Sequence, residues 1–316
     1  MLLNFALIFI GIALLVWSAD RFTDGASAIA RNFGVSPLIV GLTIVAIGSS
    51  APEIFVSVTA SLSGSAGLAI GNAIGSNIAN IALVLGVTAI IRPLEIDSNV
   101  LRREYPILFV ISVITGVALW DYHLNFIDGV VLVSGMVVYL VWIVRMALHS
   151  KASDRMLTEL IEELPEEMPN KKAILWVIVG LVLLPLSSQI LVNGATGIAV
   201  YFGVSEFIIG VTIVALGTSL PELAASIASV LKGEHELAIG NVIGSNIFNI
   251  LVVLGIAGII QPTPIAPIVL YKDYALMMFL TIVMLAMAYG FKGPGHIKRG
   301  EGIILFLIYL AFLFTQ

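Results

Sequence analysis

Cysteine is absent from this 316-residue chain, which excludes disulfides, thiolate chemistry, cysteine-ligated zinc and iron–sulfur clusters. Histidine is scarce: His123, His149, His235 and His296 are scattered and share no metal-ligand spacing. Charge is scarce as well. Only 11% of the residues are charged, against roughly 25% in a soluble domain. The net charge of −5 describes mainly one acidic stretch, so no nucleic-acid surface is implied. The period-two alternation of a membrane β-barrel is missing too.

What is abundant is apolar residue, at 59% hydrophobic with 29 glycines and a mean hydropathy of +1.08. A soluble fold of this size could not hide so much apolar surface. The expectation is an all-α integral membrane protein embedded in a lipid bilayer. A span needs about 20 mostly apolar residues, and ten such runs are present: about 2–18, 36–62, 68–91, 106–120, 126–145, 172–192, 206–231, 237–260, 272–290 and 302–315. The fourth and the last are short, so interfacial residues such as Trp120 and Tyr122 are expected to extend them. The first run lacks the positive leading region of a cleaved secretory signal and is read as a span.

Arginine and lysine placement sets the orientation. With the N terminus outside, fourteen basic residues, from Arg21 and Arg31 to Lys298 and Arg299, face the cytoplasm and only Lys272 faces out. Both termini are therefore expected outside the cytoplasm, in the cell (inner) membrane. Residues 148–171 form an acidic cytoplasmic linker with Glu159, Glu162, Glu163, Glu166 and Glu167. A charge run without a patterned ligand loop reads as a hydrated connector.

The linker divides two copies of one unit. Residues 41–91 and 210–260 align without gaps at an offset of 169, and more than half of the 51 paired positions are identical. The duplication extends to two five-helix repeats, 1–147 and 172–316. Five is odd, so the second copy must cross the membrane in the opposite sense. Inverted repeats of this kind carry alternating-access transporters, with the substrate site near the midplane where broken helices meet. Gly48 to Glu53 and Gly217 to Glu222 supply the material for a break, since proline removes a backbone donor.

Glu53 and Glu222 are the acidic residues deep inside the expected spans. A charge at that depth costs about 3 kcal/mol or more, which makes function the default reading. A structural salt bridge has no partner, because no arginine or lysine lies deep in any span. Ser49, Ser50 and Ser57 share a helical stripe with Glu53, as Thr218, Ser219 and Ser226 do with Glu222. In the next span, Asn72, Ser76 and Asn80 lie four apart, as do Asn241, Ser245 and Asn249. Helix packing is the plain alternative for small polar residues. It is adopted for the glycines at 71, 75, 240 and 244, and for Asn77 and Asn246 off the stripe. For Ser76, Asn80, Ser245 and Asn249 a ligand role is preferred. Two carboxylates balance one Ca²⁺ or two Na⁺, and oxygen donors without imidazole or thiolate suit hard cations. The ions would be cargo, so no cofactor is called for.

At these residues the chain resembles the sodium/calcium exchanger branch of the cation/calcium exchanger superfamily. Its alpha repeats carry G-[ST]-S-x-P-[ED] and then G-[NS]-x-x-G-S-N-x-x-[ND], matched by Gly48–Glu53 with Gly71–Asn80 and by Gly217–Glu222 with Gly240–Asn249. The resemblance implies Na⁺-driven Ca²⁺ antiport, ten helices and four cation sites around the paired glutamates. It maps the ligands onto Ala46, Ser49, Ser50, Glu53, Ser76 and Asn80, and onto Ala215, Thr218, Ser219, Glu222, Ser245 and Asn249, the alanines through backbone carbonyls. Potassium-dependent members carry aspartate where this chain has Asn249, so a potassium-independent mode is expected. A proton-coupled Ca²⁺ antiporter is the main rival, because a midplane glutamate can carry a proton. An intramembrane hydrolase would need support from His or Cys around the glutamates, and a passive channel fits an inverted repeat less well.

Overall fold

A computed structural model describes residues 2–35, 37–62, 64, 66–96, 98–150, 168–201, 215–288 and 295–315. Most of the acidic linker lies outside the described residues, as do residues 202–214, which the repeat aligns with 33–45.

The described chain is mostly helical. Its first half runs α1 (Leu2–Phe33), α2 (Ala46–Ser49), α3 (Ala51–Leu62), α4 (Ala66–Ala79), α5 (Gly86–Ile91), β1 (Leu94–Ile96), α6 (Ser98–Ala118), β2 (His123–Leu124) and α7 (Phe126–Ser150). The second half runs α8 (Asn170–Tyr201), α9 (Ala215–Thr218), α10 (Leu220–Leu231), α11 (His235–Phe248), α12 (Gly255–Ile260), β3 (Thr263–Pro264), α13 (Ala275–Ala288), β4 (Gly295–Ile297) and α14 (Arg299–Phe314). From α2 to α5 the helix boundaries recur in α9 to α12 at the offset of 169, residue for residue. Among the described residues six helices are long and apolar enough to cross a membrane, and a seventh span counts if the bent pair Gly41–Ser49 with Ala51–Leu62 is taken as one.

Two of these spans, Ala69–Ile91 and His235–Ile260, are 78% buried, against 22–28% for the other four. They form the centre of the molecule, where Ile78, Ile81, Ile247 and Ile250 are fully or nearly enclosed. The other four present apolar faces outward, as lipid contact requires.

The first span was expected to end at residue 18, and the sixth at 192. Both are 32-residue helices that run on to Phe33 and Tyr201. The polar residues that suggested an end to α1 are paired, with one another and with residues of neighbouring helices. Lys232 reaches Asp20 at 2.6 Å and Asp24 at 2.9 Å, and Arg21 reaches Asp24 at 3.3 Å with its guanidinium 5.6 Å from the Trp176 ring centroid. Helices α1 and α8 pack antiparallel through glycine. A Cβ on Gly25 would sit 2.7 Å from the Ala173 carbonyl oxygen, and one on Gly194 2.7 Å from that of Asn4. These two contacts are images of each other at the repeat offset.

The halves also interlock. Strand β1 pairs antiparallel with β4, Leu94 opposite Ile297, and β2 with β3, His123 opposite Pro264. A Cβ on Gly302 of α14 would lie 2.7 Å from the Gly86 oxygen of α5, and one on Gly129 of α7 2.6 Å from the Gly255 oxygen of α12. The Tyr105 hydroxyl donates to the Thr281 carbonyl while Tyr274 donates to that of Ser112, again a pair related by 169. Helix α6 ends at Ala118, and Trp120 follows in a 3₁₀ turn, 70% exposed.

Candidate functional site

The expected breaks are present in both halves. Ser50 leaves helical geometry at φ −82°, ψ 8°, and the helices on either side of it meet at 53°. Ser219 does the same at φ −88°, ψ 1°. Pro52 and Pro221 follow in the first turn of α3 and α10, the position where a missing N–H costs least. Each break therefore places a glutamate, Glu53 or Glu222, in the first turn of a new helix, and both side chains are wholly buried.

The two carboxylates are close enough to interact electrostatically. Their surroundings come from both halves. Ser50 donates to Glu222 Oε1 at 2.9 Å, and Ser245 to the same atom at 3.4 Å. Ser76 and Thr218 stand beside Glu53. Ser49 donates to Asn241 Oδ1 at 3.0 Å and lies 3.5 Å from both the Ser245 hydroxyl and the Ala46 carbonyl. That carbonyl also accepts from the Ser50 backbone at 3.0 Å. Ala215 opens α9, one turn before the second break.

Asn80 and Asn249 are fully buried and each opens a π-helical turn, Asn80–Leu85 and Asn249–Leu254. Such wide turns occur often at functional sites because they redirect a side chain within a continuous helix. Asn80 Nδ2 donates to Asn246 Oδ1 at 3.1 Å, and Asn77 Nδ2 to the Asn246 carbonyl at 3.3 Å.

Much of this polar surface has no protein partner. Both oxygens of Glu53, Glu222 Oε2, Asn80 Oδ1, the Ser219 hydroxyl and both amide atoms of Asn249 are buried without a hydrogen bond among the described residues. Burying such atoms unpaired costs on the order of 1–3 kcal/mol each. They sit at the two breaks and on the two most buried spans. Among the described residues no lysine or arginine pairs with either glutamate, and no three His, Cys, Asp or Glu side chains gather elsewhere as a metal cluster.

Two residues matter more here than the sequence suggested. Asn241 ties together Ser49, the Glu222 carbonyl (3.2 Å) and the Ser226 hydroxyl (2.9 Å), as Asn72 holds the Glu53 carbonyl at 3.4 Å. Asn246, read from sequence as packing, is hydrogen-bonded to a candidate ligand. The four-residue stripe pointed to Asn241; nothing in spacing pointed to Asn246.

The chain matches the family model described as sodium/calcium exchanger protein over residues 3–145 and 172–316. It is 47% identical to CaxA of Alkalimonas amylolytica over 99% of this chain and 98% of that one. Identity to the inner membrane protein YrbG of Escherichia coli is 42%, over 99% and 98% of the two chains. Among solved structures it resembles the sodium–calcium exchanger NCX_Mj soaked with Na⁺ and Sr²⁺, at 32% identity and a TM-score of 0.85, covering 100% of this chain and 99% of that one. Membrane-length apolar helices and a mostly helical fold agree with that likeness. The chain belongs to the sodium/calcium exchanger family, a family of membrane transporters and not of enzymes.

Proposed function

We propose that the protein exchanges Na⁺ for Ca²⁺ by alternating access at one midplane site built on Glu53 and Glu222. The observation that carries this reading is the pair of wholly buried carboxylates, on symmetry-related broken helices, without a basic partner among the described residues. Two negative charges match one Ca²⁺ or two Na⁺, so either cargo leaves little net charge in a low-dielectric interior. Hydroxyls of Ser49, Ser50, Ser76, Thr218, Ser219 and Ser245, amide oxygens of Asn80 and Asn249, and carbonyls of Ala46 and Ala215 supply the neutral donors. Calcium takes six to eight oxygens with tolerant geometry, and such a set offers them.

Ten spans in two inverted repeats, 1–147 and 172–316, with 148–171 as a cytoplasmic linker and both termini outside, complete the proposal. The antiparallel α1–α8 contact and the exchanged strands support opposite orientation of the halves. Relatives named as sodium/potassium/calcium exchangers match only about two-fifths of this chain, among them that of Homo sapiens. Asparagine at both 80 and 249 favours exchange without K⁺.

The deciding measurement is Ca²⁺ uptake into proteoliposomes with and without an opposing Na⁺ gradient. Uptake should follow the Na⁺ gradient and persist when K⁺ is absent. Uptake that ignores Na⁺ and follows a pH gradient would replace Na⁺ coupling by proton coupling.

A further inference from the structure

The buried amides at the centre of the molecule are not equivalent, although the sequence makes them so. Asn77 and Asn246 are related by the repeat offset, as are Asn80 and Asn249. Asn80 Nδ2 donates to Asn246 Oδ1 at 3.1 Å, whereas its mirror bond, Asn249 Nδ2 to Asn77 Oδ1, is not made. Asn77 Oδ1 and both amide atoms of Asn249 are instead buried without partners among the described residues. One ligand amide is tethered and the other is not.

The tether has a chemical consequence. A side-chain amide offers an oxygen acceptor at one end and an NH₂ donor at the other, and a cation can use only the oxygen. With its NH₂ committed to Asn246, Asn80 has only Oδ1 left to present, and Oδ1 is one of the buried atoms without a protein partner. Asn246 is fully enclosed, so water does not compete for that bond. Its own backbone carbonyl accepts from Asn77 Nδ2 at 3.3 Å, which fixes its main chain against the opposite half.

We infer that Asn246 is a positioning residue: from the second repeat it polarises the Asn80 amide of the first, so that the oxygen faces the cation site. The inference rests on the site proposed above. Asn77 holds the equivalent place toward Asn249, and in this structure that tether is open.

The test is equilibrium Ca²⁺ binding to the purified full-length protein by calorimetry, with thermal unfolding recorded for every variant. Asn246→Leu removes the acceptor and should weaken Ca²⁺ binding about tenfold, the loss of one well-directed ligand. Asn246→Asp keeps an acceptor and should hold Asn80 in place, with binding no weaker than in the unmodified protein. If the leucine variant does not fold, Asn246→Ala takes its place in the same comparison.

A structural role alone would act whatever stands at position 80. In an Asn80→Asp background there is no amide to orient, so adding Asn246→Leu or Asn246→Ala should no longer weaken binding. Binding within twofold of the unmodified protein for a folded leucine or alanine variant would overturn the inference. So would an equal loss in the Asn80→Asp background. Glu53→Gln separates the two levels: if it leaves Ca²⁺ affinity intact, the site itself is wrong, and if it abolishes binding while Asn246→Leu does nothing, only the positioning role fails.

Discussion

Glu53 and Glu222 are wholly buried carboxyls, and in the proposed site their ionised forms are balanced by the incoming cation. Glu53→Gln and Glu222→Gln should each cut Ca²⁺ uptake by about 100-fold or more, since losing one partner of a buried charge pair costs about 3–5 kcal/mol. Neither should lower the melting temperature, because a neutral amide is cheaper to bury than an unpaired carboxylate. Uptake in vesicles and thermal unfolding in detergent check the two halves of that expectation. Asn249→Asp adds a third negative charge where both amide atoms lack partners among the described residues. It should change the cation or pH dependence of exchange, read as uptake across a K⁺ and pH series, while the unmodified protein runs without K⁺. The glutamates and the four-residue stripe were legible in the sequence because charge in a span and helical spacing are both local signals. The tether to Asn246 was not, since it joins residues 166 apart that meet only when the halves pack.

At the level of helices, a contact between two backbones leaves no room for a side chain. Gly25→Val should overpack the α1–α8 contact, where a Cβ already falls 2.7 Å from a carbonyl oxygen, at a cost of about 1–3 kcal/mol. Gly194→Val, its image, should cost the same, and melting curves of the two variants should shift together. Lys232 binds α10 to α1 through Asp20 and Asp24, whereas the matching residues of the other half, Ser63, Gln189 and Asn193, carry no charge. These pairs are partly exposed and worth up to about 1 kcal/mol each. Lys232→Met should therefore lower the melting temperature at low ionic strength, and 1 M choline chloride should erase most of the difference. The sequence located the breaks at Ser50 and Ser219 because Pro and Gly announce themselves. It placed the end of α1 too early, because Asp20, Arg21 and Asp24 read as a loop until their pairing with one another and with Lys232 is known.

For the molecule as a whole, the distribution of lysine and arginine makes a testable map. A tag between Leu160 and Glu167 should be accessible only from the cytoplasm, and tags at either terminus only from the opposite side. Accessibility of the two termini from different faces would exclude ten spans. The duplication was plain in the sequence, but how the copies meet was not, since β1 and β2 are three and two residues long and carry no pattern of their own. Their exchange with β4 and β3, together with the glycine contacts of α14 on α5 and α7 on α12, makes the two halves depend on each other. Neither half is a finished object: each closes its partner's strand pair and covers its partner's glycine face. Each half lends its last helix to the other, so either half expressed alone should leave its strands unpaired and a glycine face bare, and should not fold without its partner. Joined in one chain the two copies need not stay alike, and Lys232 stands where the first copy has the uncharged Ser63.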